Sequence, residues 1–334
     1  MPRVAVLLPV RDAADTVGAA AVSVLRGRYR DLTLIAVDDA STDASAATLD
    51  RLAARDRRVR VLRSPGEGIA LALNRALAAS DAELVARMDA DDVSWPGRLE
   101  AQVAALDADP ALVAVGGRVR LFPRGQLRDG MRRYVAWLNS LTTPALVARD
   151  LFVEAPLCHP ATLLRRAPLA AVGGWRDGDF PEDYDLWLRL SAAGGRLANL
   201  PVTVLDWREG PRRLTRTDAR YGLDRHLALK CAALASGPLR GRAEVALWGA
   251  GETGRAFADG LLRVGIRVAA FVEVDRKKVG RTIRGAPVHH FEEVERLRGL
   301  PLLVAVGAAG ARDLIRAELT RRGFEEPRDF RCVA

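Results

Sequence analysis

The sequence predicts an α/β protein with two domains, on three observations. Short apolar runs rich in Val, Leu and Ile alternate with stretches of helical character. Two of these runs end in clustered aspartates. The pattern stops at Ala235-Ser236-Gly237-Pro238 and restarts with a fresh apolar run and a glycine loop. Strand–helix alternation implies a parallel sheet with helices on both faces. A chain of 334 residues exceeds one average domain. The expected domains are residues 1–236 and 240–334.

Each element has a local reason. Arg3 to Pro9 is a continuous apolar run of the kind buried on both faces of a sheet. Asp15-Thr16 is placed to cap a helix through Leu25, which Gly27 closes. Leu32 to Val37 reads as the second buried strand, and Ser41 with Asp43 starts the next helix. Val59 to Leu62 is a third strand, and the Gly66-Glu67-Gly68 turn feeds a helix through Ala79. Leu84 to Ala86 begins the fourth strand. Ser94-Trp95-Pro96 then predicts a helix start with proline in the first turn. Tyr221 to Leu234 reads as the helix closing the first domain. Beyond it come strands at Glu244–Trp248, Val268–Val272 and Leu302–Val306, with helices through Leu262 and over Arg312–Arg321.

Composition narrows the class. With 49% hydrophobic and 28% charged residues the chain reads as globular and soluble. No apolar run approaches the roughly 18 residues that span a bilayer. The opening run is broken by Pro9, Arg11 and Asp12 and reads as a core strand, not a signal peptide. Cys158, Cys231 and Cys332 have neither metal-type spacing nor a disulfide pattern, which points to the cytoplasm. The formal charge of +9 is carried almost wholly by arginine. A basic surface suits nucleotides, acidic glycans or anionic membranes, so peripheral association with the inner face of the membrane is an expectation. Aromatic residues at 5%, with no basic–aromatic interleaving, argue against nucleic acid.

The chemistry concentrates where strands end. Leu84-Val85-Ala86 leads through Met88 to Asp89, Asp91 and Asp92, residues that turn readily and so fall where a strand leaves the sheet. That edge is where open α/β sheets bind ligands. Crowded carboxylates repel unless a cation sits among them, and hard oxygen ligands suit Mg²⁺ or Mn²⁺. A solvated acidic loop is the alternative. Asp38-Asp39 ends a second strand at the same edge, able to accept from a ribose hydroxyl or a base N–H, or simply to cap a helix. The pair of clusters suggests a nucleoside-diphosphate substrate.

LLPVRD at the start, VDDASTD at 37–43, GIALALNRALAAS and RMDADD together resemble the family 2 glycosyltransferases of the GT-A fold. The likeness continues through HPATLLRR at 159–166, VGGW at 172–175 and PEDYDLWLRL at 181–190, and covers residues 3 to 230. The resemblance implies a nucleotide-sugar donor, a UDP-sugar by preference, and a glycan or lipid-linked acceptor in cell-surface polysaccharide or glycoconjugate synthesis. It implies that Pro9 and Arg11 line the nucleotide pocket with Asp39 near the uracil or ribose. Arg87 would lie close to the diphosphate, Asp89 beside the donor, and Asp91 on the metal. Glu182, Asp183 and Asp185 fall in a helix's first turn, where carboxylates are favoured in any case. Displacement at an anomeric carbon needs a base for the attacking hydroxyl, and the resemblance puts it at Asp183, with inversion. His159, Glu182 and Trp187 are assigned to the acceptor side. Residues 208–217 resemble the family's loop over the donor, with Glu209 where related sequences often carry His.

The tail carries its own motif. Gly249-Ala250-Gly251-Glu252-Thr253-Gly254 stands between strand and helix, with Glu273 about twenty residues on, as in a dinucleotide-binding loop. The tail resembles small Rossmann-like domains that precede sugar acyltransferases, which hold a nucleotide-sugar or act as scaffolds. Gly249, Gly251, Gly254 and Glu273 are its candidate ligand residues. The rival readings are an NAD(P)-dependent oxidoreductase built on the tail, a nucleotidyltransferase acting on sugar phosphates, and a binding protein on a decayed transferase fold.

Overall fold

A computed structural model describes residues 2–123, 128–211 and 213–334. The chain divides into two compact units, residues 1–148 with 155–219, and residues 149–154 with 220–334.

The first unit opens with β1 (Val4–Val10), α1 (Val17–Leu25), β2 (Leu32–Asp39), α2 (Ser45–Arg55), β3 (Val59–Ser64), α3 (Ile69–Ala78) and β4 (Leu84–Arg87). It continues with β5 (Val93–Ser94), α4 (Arg98–Ala108), β6 (Leu112–Phe122), α5 (Asp129–Ser140), α6 (Pro144–Asp150), β7 (Leu163–Arg165), α7 (Arg166–Ala171), α8 (Glu182–Ala192), β8 (Arg196–Arg208) and α9 (Leu214–Thr217). The sheet order is β3-β2-β1-β4-β7-β6-β8-β5. Its first four strands are parallel, as the alternation predicts, with Val4 opposite both Leu32 and Leu84. β1 and β2 are flanked on both sides and covered on both faces, which is why their apolar runs are unbroken. β7 then runs antiparallel between β4 and β6.

The helix expected from Ser94 begins instead at Arg98. Val93 and Ser94 pair with Asp206 and Leu205 as the short edge strand β5. The Ser94 N–H donates to Ser23 Oγ at 2.9 Å and the Trp95 N–H to Val204 O at 3.0 Å, so both are committed before a helix can start. A second lock explains the VGGW turn. Asn74 on α3 donates to Trp175 O at 2.6 Å and accepts from Trp175 N at 3.0 Å. A Cβ on Gly174, at φ +66°, would stand 2.5 Å from the Asn74 oxygen.

The second unit contains α10 (Leu223–Ser236), β9 (Glu244–Trp248), α11 (Glu252–Arg263), β10 (Arg267–Glu273), β11 (Thr282–Ile283), β12 (Ala286–His290), β13 (Leu302–Val304), α12 (Ala311–Arg321) and β14 (Phe330–Cys332). Strands run in the order β11-β12-β10-β9-β13-β14, parallel apart from β11 against β12. Sequence reasoning sets the boundary at 236; α10 groups by its contacts with this unit. Gly260 of α11 makes room for it: a Cβ there would meet Cys231 Sγ at 2.8 Å and Leu227 Cγ at 3.5 Å. Residues 149–154 join the same unit. Asp150 takes Arg316 Nη2 at 2.5 Å, and the buried Lys230 ammonium donates to Val153 O at 2.5 Å and Val333 O at 3.3 Å.

Candidate active site

β4 is buried over its whole length and delivers Arg87 and then Met88 to the carboxyl edge of the sheet. The chain turns there through Asp89, Asp91 and Asp92, and one carboxylate oxygen from each lies within 4.8 Å of the others. Burial first and then Asp89 push the Asp91 pKa up to about 6. Burial, and then Asp89 and Asp91, raise the Asp92 pKa well above the usual carboxylate range. Asp92 Oδ1 accepts the Arg208 N–H at 2.7 Å, while Oδ2 is buried without a hydrogen-bond partner. Arg87, only 2% exposed, is paired with Asp89. Burial alone would depress the Arg87 pKa, but Asp89 outweighs it and the pKa stands above the ordinary value. Three convergent carboxylates, one of which carries an orphaned buried acceptor, are a donor set that fits a divalent cation.

Behind this loop lies a residue the sequence reading missed. Arg98 is fully buried with no carboxylate partner among the described residues. Its Nη2 donates to Arg87 O at 2.7 Å and Thr162 O at 3.2 Å, and its Nε to Gln102 Oε1 at 3.2 Å. Gln102 Nε2 in turn donates to Ala161 O at 2.7 Å and Val115 O at 3.0 Å. Burial brings the Arg98 pKa down to about 10. The signal was the helical period: positions 98, 99, 102, 103 and 106 form the buried face of α4.

α8 presents its acids in three different ways. Glu182 is buried and its Oε1 stands 3.6 Å from His159 Nδ1. His159 Nε2 accepts the Trp175 Nε1–H at 2.8 Å, so the ring keeps Nδ1–H toward Glu182. Burial and then Arg87 hold the His159 pKa below its usual value, so the imidazole is neutral near pH 7. Trp187 packs edge-on against the same ring at 5.9 Å. Asp185 is fixed by Arg189 at 2.6 Å, and Arg189 also donates to Val172 O and Gly174 O. Asp183 is half-buried and accepts the Tyr184 N–H at 2.7 Å. Arg87 carries the charge of Asp89, Glu182 and Asp92 together, and His159 feels both Arg87 and Asp89. The start of α8 and the acidic loop thus form one constellation.

The end of β8 supplies more cations than the sequence reading named. Arg208 Nε donates to Asp91 O at 2.7 Å, and its guanidinium lies 4.5 Å over the Phe122 ring. Glu209 is 3% exposed and pairs with both Arg213, at 2.8 Å, and Arg216. At the neighbouring edge, β1 delivers Pro9 and Arg11. Asp39 accepts from Ser64 Oγ at 2.5 Å, Glu67 N at 2.9 Å and Gly68 N at 2.8 Å, with Arg11 at 4.0 Å. Burial would raise the Asp39 pKa, but these donors outweigh it and hold it low. The turn at 64–68 therefore uses most of the Asp39 acceptor capacity.

In the second unit the glycine loop joins β9 to α11. Gly249 has φ +116°, and a Cβ on Gly254 would lie 1.7 Å from Gly249 O, whereas one on Gly251 would meet nothing within 4 Å. Glu273 accepts from Ala250 N at 3.2 Å, Val274 N at 2.9 Å, Asp275 N at 3.2 Å and Lys278 Nζ at 3.0 Å. The acid expected to meet a ligand is occupied by its own loop and the following turn.

A mixed sheet with an acidic turn at its parallel edge is the architecture of the GT-A glycosyltransferases, and solved structures of that fold match it. The mannosyltransferase PcManGT of Pyrobaculum calidifontis, in complex with GDP-Man and Mn²⁺, superposes with TM-score 0.55 at 23% identity, over 70% of this chain and 64% of that one. S. aureus TarS 1–349 in complex with UDP-GlcNAc superposes with TM-score 0.55 at 14% identity, over 78% and 72%. The profile of Glycosyl transferase family 2 matches residues 5–173. The chain is 30% identical to EpsE of Bacillus subtilis over 228 residues, 67% of this chain and 79% of that protein. It is 28% identical to the O-antigen biosynthesis glycosyltransferase WbnJ of Escherichia coli, over 56% of this chain and 71% of that protein. It is 29% identical to the amylovoran biosynthesis glycosyltransferase AmsE of Erwinia amylovora, over 43% and 53%. The chain belongs to glycosyl transferase family 2 and is a glycosyltransferase. No helix among the described residues is long and apolar enough to cross a membrane.

Proposed function

We propose that the chain moves a sugar from a nucleotide-sugar donor to a saccharide hydroxyl, with inversion at the anomeric carbon, in the synthesis of a cell-surface polysaccharide. The observation that carries this is the convergence of Asp89, Asp91 and Asp92 within 4.8 Å beside the first turn of α8. Asp91, with Asp89 and Asp92, would hold a Mg²⁺ or Mn²⁺ ion. When bound, that ion supplies Lewis-acid stabilisation of charge on the departing diphosphate. Asp183 is the base: it takes the acceptor proton as the hydroxyl oxygen bonds the anomeric carbon and the bond to the diphosphate oxygen breaks. Arg87 neutralises Asp89 and holds it in place. Glu182 and His159, with Trp187 packed on the imidazole, form the wall on the acceptor side. Pro9, Arg11 and the Asp39 turn face the nucleoside. The polysaccharide assignment is supported by the names of WbnJ and AmsE.

The second unit serves docking, regulation or a second nucleotide-type ligand, and not the transfer itself, because every acid the reaction uses precedes residue 190. The reading is tested by nucleotide release from UDP-, GDP- and dTDP-sugars in Mn²⁺ with mixed oligosaccharide acceptors. Release that depends on both donor and acceptor is expected. Reduction of NAD(P) without nucleotide release would instead support the oxidoreductase reading of the tail.

A further inference from the structure

We propose that Arg98, braced by Gln102, is the positioning residue that sets the acidic loop for its cation. This rests on the metal part of the transferase reading above and concerns a residue that reading leaves without a role. The pairing of β4 with β7 ends at Ala86 opposite Leu163. One step further on, the Arg87 N–H still donates to Thr162 O at 3.0 Å. The Thr162 N–H, which would complete the pair by donating to Arg87 O, turns instead to His159 O at 3.2 Å, where the Thr162 hydroxyl also donates at 2.8 Å. Arg87 O thereby loses its ladder donor at the last residue of the strand, just before the acids. Arg98 Nη2 supplies that donor at 2.7 Å and reaches Thr162 O at 3.2 Å. Nη1 of the same guanidinium lies 3.4 Å from Met88 Sδ, so one side chain holds both residues that lead into Asp89.

A buried guanidinium is a costly way to satisfy two carbonyls. Arg98 is 2% exposed, and among the described residues no carboxylate pairs with it; an apolar side chain would carry less desolvation. What the arginine supplies is a rigid planar fork. Its Nε–H donates to Gln102 Oε1 at 3.2 Å, while Gln102 Nε2 donates to Val115 O of β6 at 3.0 Å and to Ala161 O at 2.7 Å, in the turn His159–Ala161. The plane of the fork is therefore tied to β6 and to the turn that carries His159. Carboxylates bind a divalent cation well only when their oxygens converge, and the groups behind them set that convergence. Asp89, Asp91 and Asp92, within 4.8 Å of one another, follow directly from the backbone that Arg98 holds. Charge works in the opposite sense, because a guanidinium behind the loop repels an arriving cation. Positioning and charge thus predict opposite outcomes when Arg98 is removed.

The experiment is calorimetric titration of the full chain with Mn²⁺, alone and with saturating UDP, and melting temperatures check that each variant is folded. Arg98→Met should weaken Mn²⁺ roughly 10- to 100-fold, as expected for loss of a group behind metal ligands. Arg98→Lys, which keeps the charge but not the fork, should recover part of the loss. Gln102→Leu should weaken Mn²⁺ to a smaller degree. In turnover, the Mn²⁺ needed for half-maximal rate should rise in step with the dissociation constant, while kcat at saturating Mn²⁺ stays within about threefold. Lost stability alone would not give that split. Unchanged Mn²⁺ affinity in folded Arg98→Met, or the tighter binding that loss of a positive charge alone would give, would overturn the assignment and leave the transferase reading standing. If Arg98→Met does not fold, Arg98→Lys and Gln102→Leu decide on the same criterion. If the unaltered chain binds no Mn²⁺, the metal part of the transferase reading falls, and this inference with it.

Discussion

Asp183→Asn separates the proposed base from its structural surroundings. The new side chain keeps an oxygen where Oδ1 now accepts the Tyr184 N–H at 2.7 Å, so the first turn of α8 keeps that contact. What the fold loses is one of three negative charges in that turn, beside Glu182 and Asp185, worth about 0.3–1 kcal/mol against the helix dipole. What the reaction loses is its proton acceptor. General-base contributions of roughly 10²–10⁴ in rate correspond to about 2.7–5.4 kcal/mol of barrier at 1.36 kcal/mol per decade. The loss of rate should therefore exceed the loss of stability severalfold. Steady-state nucleotide release, donor affinity by calorimetry and a melting curve read the three quantities on one sample. Asp185→Asn is the contrast: it breaks the buried pair with Arg189 at 2.6 Å and should destabilise by about 3–5 kcal/mol. Turnover of Asp183→Asn within threefold of the unaltered chain would refute the assignment, all the more if folded Asp185→Asn were inactive.

Arg98→Met removes the donors to Arg87 O and Thr162 O. Stranded buried acceptors, offset by the charge no longer buried, should lower unfolding free energy in urea by about 2–4 kcal/mol, and an unchanged midpoint would show the network to be dispensable. Glu273 has a depressed folded pKa, so its contribution to stability is present above the unfolded glutamate value of about 4.3 and lost as pH falls through the folded value. Melting at pH 7 and pH 3 should differ less in Glu273→Gln, and an identical pH dependence in the two proteins would contradict this. Gly254→Ala should disrupt the second unit because its Cβ would lie 1.7 Å from Gly249 O, whereas Gly251→Ala enters open space and should be silent in the melt. Equal tolerance of both would contradict that geometry.

The parallel half of the first sheet was legible because its strands are covered on both faces, leaving unbroken apolar runs that end in acids. β5 was not, because Val93 and Ser94 become a strand only through pairing with Asp206 and Leu205, more than a hundred residues away. Arg98 and Gln102 look like surface residues by type and are read correctly only by their place on the apolar stripe of α4. Gly237-Pro238 marks a break in the chain after α10, while Gly260 lets α10 pack onto α11, a contact that the sequence alone does not show. Within the site, the acidic loop and the ED pair were visible as motifs. The stretch after β8 was visible by resemblance, but the pairing of Glu209 with Arg213 and Arg216 was not, since arginine is so common in this chain that no one of them stands out.

The most direct test of the central claim, that the acidic loop of β4 holds the metal and donor for sugar transfer, is Asp91→Asn measured for turnover and for Mn²⁺-dependent nucleotide binding. The account predicts that both are lost together, and that excess chelator abolishes turnover in the unaltered chain. Full transfer in chelator, or an Asp91→Asn variant with normal turnover and normal metal-dependent binding, would contradict it.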